Sequence, residues 1–129
     1  MEIDNTRSSC PAALSLDVLG DRWSLLVIRD LLMGKRRFAD FESSAEGIST
    51  NILTDRLRRL EDVGITEKRL YQQRPKRYEY VLTRRGADLI PVLQSLCHFG
   101  MTHFPNAWHP PDEFFELTPD LWWIKNGRE

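Results

Sequence analysis

Between Ser49 and Gly64 leucine recurs at helical spacing, with Leu53, Leu57 and Leu60 on one narrow stripe. Ser49 is a suitable N-cap, because its hydroxyl can accept an orphan amide of the first turn, and Gly64 supplies a left-handed stop. A helix is therefore expected over 49–63, buried along that stripe. Asn51, Asp55, Arg58 and Asp62 fall on the opposite side, with Thr54 on the flank. Slim polar groups thus occupy the first half of the exposed face, and arginines follow. A helix that is only solvated more often carries Glu/Lys pairs there. A helix that enters a DNA major groove needs small hydrogen-bonding side chains near its N-terminus and cations for the flanking phosphates. The pattern alone suits either role, and its neighbours in the chain have to decide.

Upstream, the first nine residues are polar and expected to be mobile. Cys10-Pro11 opens a short helix over 12–19, since proline at the first helical position sacrifices no needed amide, and Gly20 stops it. Asp21 is the N-cap of a second helix over 22–33, whose Trp23, Leu26, Val27 and Leu31 give a broad apolar surface, and Gly34 ends it. Lys35-Arg36-Arg37 makes a basic bend before a short helix around Phe38 to Glu42, with Phe38 and Phe41 facing the core. Residues 43–47 are a connection of ordinary length, so this helix and the next make a helix-turn-helix.

After Gly64 the period changes to two. Residues 65–71 and 77–83 read as strands, the second placing Tyr78, Tyr80 and Leu82 on one face and Glu79, Val81 and Thr83 on the other. Gln72-Gln73-Arg74-Pro75-Lys76 between them is a polar, basic hairpin tip. A hairpin directly after a helix-turn-helix is a winged helix. Thr83 then caps a long helix expected from Arg84 to about Phe104, bent or frayed at Pro91. Leu89, Leu93 and Leu96 form one of its ridges, and Ile90, Cys97 and Phe104 an adjacent one. So apolar a helix at the end of a small domain is most simply covered by a second copy of the chain. The tail from Pro105 onward holds Trp108, Phe114, Phe115, Leu121, Trp122 and Trp123. It is too aromatic for a linker, and is expected to fold back over the body, to reach across a dimer partner, or to line a small-molecule pocket.

The formal net charge of the 129 residues is −1, which argues neither for nor against a polyanionic partner. Distribution says more. Residues 35–85 hold thirteen Lys/Arg against eight Asp/Glu, whereas residues 105–129 hold two against five. A basic middle with an acidic tail suits one face meeting nucleic acid. The N-terminus shows no signal-peptide pattern, no stretch is as long and apolar as a membrane span, and two cysteines are too few for a disulfide scaffold. A cytoplasmic protein with no membrane partner is the expectation.

Thr50, Asn51, Thr54 and Arg58 are the base-facing candidates, with Ser49 at the start of the same helix. Arg56 and Arg59 are assigned to phosphates or to an internal carboxylate. Arg36 and Arg37, with Lys35, either grip the DNA backbone or are simply solvated. Arg74, Lys76 and Arg77 on the hairpin are candidates for phosphate or minor-groove contact, although polar hairpin tips are common. Asp55 would repel phosphate and is expected to steer Arg58 or Arg59. Cys10, at a helix start, is either a reactive thiol that senses oxidants or electrophiles or a small packing residue at a dimer seam. Cys97 reads as inert core. His98, His103 and His109 lack zinc spacing, and neither a phosphate loop nor a nucleophile elbow is present. No catalytic residue, metal or cofactor is therefore expected.

Cys10-Pro11, Leu19-Gly20-Asp21-Arg22-Trp23-Ser24-Leu25-Leu26, Gly34-Lys35-Arg36-Arg37-Phe38 and Gly47-Ile48-Ser49 with Leu53-Thr54 and Arg56-Leu57 occur in an order that resembles a known family. Leu60-Glu61-Asp62-Val63-Gly64-Ile65, Arg77-Tyr78-Glu79-Tyr80-Val81-Leu82-Thr83 and Gly86 continue the match. Together they resemble the HxlR-type winged-helix transcriptional regulators, relatives of the MarR group. The resemblance implies an α+β, mainly α winged helix-turn-helix whose N- and C-terminal helices form a dimer interface. The matching segments run from Cys10 to about Phe104, which divides the chain into a DNA-binding and dimerisation domain over 1–104 and an aromatic, acidic extension over 105–129 that departs from the compact family pattern. It further implies a homodimer on a pseudo-palindromic operator of double-stranded DNA, acting as a repressor, with a redox or small aromatic effector. The rival reading is a winged-helix module that docks proteins without reading DNA, and near-neutral charge is its best support.

Overall fold

The computed structural model describes residues 7–127. In chain order these form α1 (Pro11–Leu19), α2 (Ser24–Leu32), α3 (Phe38–Glu42), α4 (Thr50–Asp62), β1 (Thr66–Gln73), β2 (Lys76–Leu82), α5 (Arg84–Ala87), α6 (Ile90–His103), α7 (Asp112–Glu116) and α8 (Pro119–Asn126). Two compact units meet in sequence at Thr83 and Arg84, so the boundary expected at 104/105 falls inside the second unit. The first unit is a winged helix-turn-helix.

In that unit the sequence signals act locally. Asp21 accepts from the Trp23 and Ser24 amides at 3.0 and 3.1 Å, and regular helix begins at Ser24, two residues later than the spacing suggests. Gly34 (φ 99°) ends that segment and Gly64 (φ 77°) follows α4, both in the left-handed region that favours glycine. The Ser49 hydroxyl accepts from the Ile52 amide at the start of α4. Val27, Ile28, Leu31, Phe41, Leu53, Leu57 and Leu60 are buried together with Ile65, Val81 and Leu82, and Phe38 is half-buried. The expected leucine stripe of α4 is therefore part of the core, with α2, α3 and β1 packed against the helix.

β1 and β2 pair antiparallel from Thr66 opposite Leu82 to Gln73 opposite Lys76, with an irregularity between Leu70 and Gln72. The five-residue link expected at the tip shrinks to Arg74-Pro75, because the half-buried Gln72 and the exposed Gln73 and Lys76 continue the ladder as strand positions. At the base of the hairpin the Thr83 hydroxyl donates to the carbonyls of Gly64 and Ile65 at 2.6 and 3.1 Å. The Tyr80 amide donates to the Arg36 carbonyl at 2.7 Å, which ties the basic bend to the wing. The first six residues of the expected mobile segment lie outside the described residues. Arg7 pairs with Asp17 at 2.6 Å, and the Cys10 amide donates to the Ser8 hydroxyl at 3.0 Å.

In the second unit, the single helix expected from Arg84 to Phe104 is two helices. Pro91 is the reason: its ring would clash with the carbonyl of Ala87, four residues back, so α5 ends there and α6 restarts with proline in its first turn. The tail does fold back. Gln94 donates to the carbonyls of Phe114 and Leu117 at 2.8 and 2.7 Å, and the His98 ring lies 4.4 Å from that of Phe115. Arg84 bridges Asp88 at 2.8 Å and Asp120, and Trp122 of α8 is buried. Of the expected ridges on α6, Ile90 and Leu93 are buried, whereas Leu96 and Phe104 are exposed beside Val92 and Phe99. No helix among the described residues is long and apolar enough to cross a membrane.

Candidate nucleic-acid interface

Because Leu53, Leu57 and Leu60 face inward, α4 must turn its other side to solvent. Ser49, Thr50, Asn51, Thr54, Arg58 and Arg59 are all exposed there. The Thr50 hydroxyl donates to the Glu42 carboxylate at 2.8 Å, and that of Thr54 donates to the Thr50 carbonyl at 2.9 Å. Each hydroxyl keeps an acceptor lone pair. Thr50, Asn51, Thr54 and Arg58 thus share one surface, as the sequence suggested.

The three arginines of α4 part company. Arg56 turns inward: its Nε donates to Asp21 at 2.7 Å, its Nη1 reaches Asp55, and its side chain is only 18% exposed. Of the two roles that the sequence offered Arg56, the structure supplies the internal carboxylate. Burial pushes the Asp21 carboxyl up, but hydrogen bonds from the Ser24 hydroxyl, Arg56 and the Trp23 amide outweigh it and leave the group well below the usual carboxylate range. Arg58 is 70% exposed and holds Asp55 at 2.9 Å, while Arg59, 43% exposed, lies 3.6 Å from the same carboxylate.

The basic bend is sorted similarly. Lys35 donates to the Ser44 hydroxyl at 2.8 Å and sits 3.8 Å from the buried Asp30, so it belongs to an internal network. Arg29 completes that network with a two-pronged grip on Glu46 at 2.9 and 2.8 Å and a bond to Asp30. The Arg29 guanidinium holds the Glu46 carboxyl down at about 2. This cluster fastens the connection before α4 to α2 and so fixes where α4 starts. Sequence reasoning missed it; the available signal was an Arg-Asp pair inside an apolar helix. Arg36 lies 3.6 Å from Glu79, and Arg37 stacks 4.1 Å from the centre of the Tyr71 ring. Arg37 is exposed and Arg36 half-buried, both against the hairpin.

On the wing Arg74, Lys76 and Arg77 are exposed, and Lys68 sits 4.4 Å above the Tyr78 ring. The tip therefore carries three cations on the same compact unit as α4. The cavity between α2 and the residues before α4, lined by Trp23, Val27, Phe41 and Ile48, measures about 10 Å³. That is room for one water at most and excludes an aromatic effector there.

Cys10 is exposed at the start of α1, where hydrogen bonds from the Ala13 and Ala12 amides hold its thiol below the ordinary value. Cys97 is half-buried rather than fully enclosed. Among the described residues no group of three His, Cys, Asp or Glu is placed to hold a metal.

The model of the HxlR-like helix-turn-helix family matches residues 18–107. The uncharacterised HTH-type transcriptional regulator sll1512 of Synechocystis is 42% identical over 91 residues, which cover 70% of this chain and 67% of that protein. Other curated relatives are matched over 61% to 78% of their length. Among solved structures, the candidate transcription factor PA1607 aligns with a TM-score of 0.73 at 36% identity, covering 84% of this chain and 76% of the other. The redox regulator HypR in its oxidised form aligns with a TM-score of 0.67 at 34% identity, covering 73% of this chain and 97% of the other.

Proposed function

The chain belongs to the HxlR-like helix-turn-helix family of transcriptional regulators, and we propose on that basis that it is a sequence-specific repressor that binds double-stranded DNA as a homodimer. α4 enters the major groove, where Asn51, Thr54 and Arg58 meet base edges, with Thr50 and Ser49 at the entry. Arg59 and Arg37 meet phosphates, and Arg74, Lys76 and Arg77 reach the flanking backbone or minor groove. The observation that carries this reading is the composition of the exposed side of α4: slim polar groups first, arginine after, on a helix whose opposite stripe is locked in the core.

Two copies bring two such helices to successive major grooves, about 34–36 Å apart, so the operator is pseudo-palindromic. A small movement at the seam between copies would spoil that spacing and release the DNA. The exposed Cys10 with its lowered pKa supports an oxidant or electrophile as the signal, and HypR, named as a redox regulator, supports it further. The protein acts in the cytoplasm, without a catalytic step and without a membrane.

The test is selection of bound duplexes from a random-sequence library by the purified chain, with and without oxidant, followed by gel shift at two salt concentrations. Enrichment of an inverted repeat supports the reading. Indifference to duplex sequence at low salt, from a sample that is monomeric at working concentration, overturns it and favours the protein-docking alternative.

A further inference from the structure

Asp55 is out of place on a surface meant for a polyanion, and its surroundings say what it does there. One carboxylate oxygen holds Arg58 at 2.9 Å, while the other meets Arg56 and lies 3.6 Å from Arg59. Arg56 is itself anchored to Asp21 at 2.7 Å, and Asp21 is fixed by the Trp23 and Ser24 amides. A continuous relay thus runs from the start of α2 through Asp21, Arg56 and Asp55 to the exposed Arg58. The far end of a long surface side chain is thereby set by the scaffold.

We propose that Asp55 is a specificity-determining positioning residue, which holds Arg58 toward a base edge and keeps it from closing on phosphates at random. The proposal rests on the reading that α4 enters the major groove. Its logic is competition. A guanidinium presents its donors in a planar fork, so a carboxylate on one edge leaves the other directed outward, in the geometry that matches guanine O6 and N7. An unrestrained arginine instead finds the nearest phosphate, which is present at every sequence. Asp55 therefore weakens binding everywhere and weakens it least where the correct base is offered.

The experiment compares the wild-type chain with Asp55→Asn, using the duplex that wild type enriches from a random library and a scrambled duplex of equal composition. Asp55→Asn is expected to bind the scrambled duplex more tightly, to narrow the ratio of the two affinities by roughly tenfold or more, and to steepen the salt dependence by about one to two log units per log unit of salt. In an Arg58→Gln background the effect of Asp55→Asn on that ratio should vanish. Arg56→Lys, which cuts the relay at constant charge, should narrow the ratio while moving the salt slope little. It also keeps the question decidable if Asp55→Asn folds poorly. A residue needed only for folding would weaken both duplexes together, and that outcome overturns the proposal, as does an unchanged ratio in Asp55→Asn. Failure of wild type itself to enrich any sequence would instead remove the DNA reading beneath it.

Discussion

Asp21→Asn isolates one charge at the joint between α2 and α4. Asparagine caps a helix about as well as aspartate, so the substitution keeps acceptors for the Trp23 and Ser24 amides. What it removes is the charge behind the bond to Arg56 at 2.7 Å, between side chains only 21% and 18% exposed, together with the second oxygen that accepts from the Ser24 hydroxyl at 2.5 Å. Exposed pairs contribute about 0–1 kcal/mol; a hydrogen bond between charged groups this sheltered belongs nearer about 2 kcal/mol. For a chain of this size that lowers the melting temperature by about 5–10 °C.

The sign of the pH dependence follows from the same contacts. The folded-state pKa of Asp21 is depressed, so its contribution is complete well above the unfolded value of about 3.9 and drains away as pH falls through that value toward the folded one. Asparagine does not titrate. In thermal melts followed by circular dichroism, the gap between wild type and Asp21→Asn should be widest near neutral pH and shrink at about pH 3. Equal melting temperatures at neutral pH, or a gap that persists or widens in acid, would refute the assignment of the Asp21–Arg56 pair as a stabilising joint.

Leu57→Ala empties a side chain that is 1% exposed on the inner stripe of α4, and should cost about 2–5 kcal/mol in urea titrations. Lys76→Ala should weaken binding to the enriched and scrambled duplexes alike and lower the salt slope by about 1; an unchanged slope on both would remove the wing from the interface. Cys10 should be alkylated by iodoacetamide faster than Cys97 near neutral pH, read by mass spectrometry of the digested chain, because it is exposed and its thiol is shifted toward thiolate. Cys10→Ser should abolish the response of DNA binding to oxidant, and a variant that responds as wild type does would end the thiol-switch idea.

What was legible in the sequence is whatever local chemistry decides. The leucine spacing, the Ser49 hydroxyl and Gly64 between them specify α4, and Asp21 specifies a cap, because each signal acts within a few residues of itself. The hairpin tip misled because Gln72, Gln73 and Lys76 are polar in either setting, and an exposed strand edge looks the same as a loop. Pro91 marked a disturbance correctly, yet a bend and a full restart differ only in whether a helical hydrogen bond survives at Asp88 and Leu89. The partners of Arg56 and Arg29 were beyond reach for another reason. Asp21 lies 35 positions from Arg56, and Glu46 lies 17 from Arg29. Such pairs are set by how helices cross, which no periodicity records.

The same sorting of charges reconciles a net charge of −1 with the polyanionic partner we propose. Asp21, Asp30, Asp40, Glu46 and Glu79 all meet donors within the first unit: Arg56, Lys35 and Ser44, the Arg37 amide, Arg29, and Arg36 respectively. These contacts give the acidic residues partners within the unit, and they consume Lys35, Arg36 and Arg56, cations that a count along the sequence would assign to DNA. The cations left exposed on α4, the basic bend and the wing include Arg37, Arg58, Arg59, Lys68, Arg74, Lys76 and Arg77. A cation held in an internal ion pair, as Lys35 and Arg56 are, releases no counterion from a duplex, so the salt slope per protomer should fall short of the thirteen Lys/Arg of residues 35–85. The net charge sums over the whole chain, whereas a duplex would meet one side of the first unit, and the ion pairs between α2, the connection before α4 and the wing determine what that one side presents.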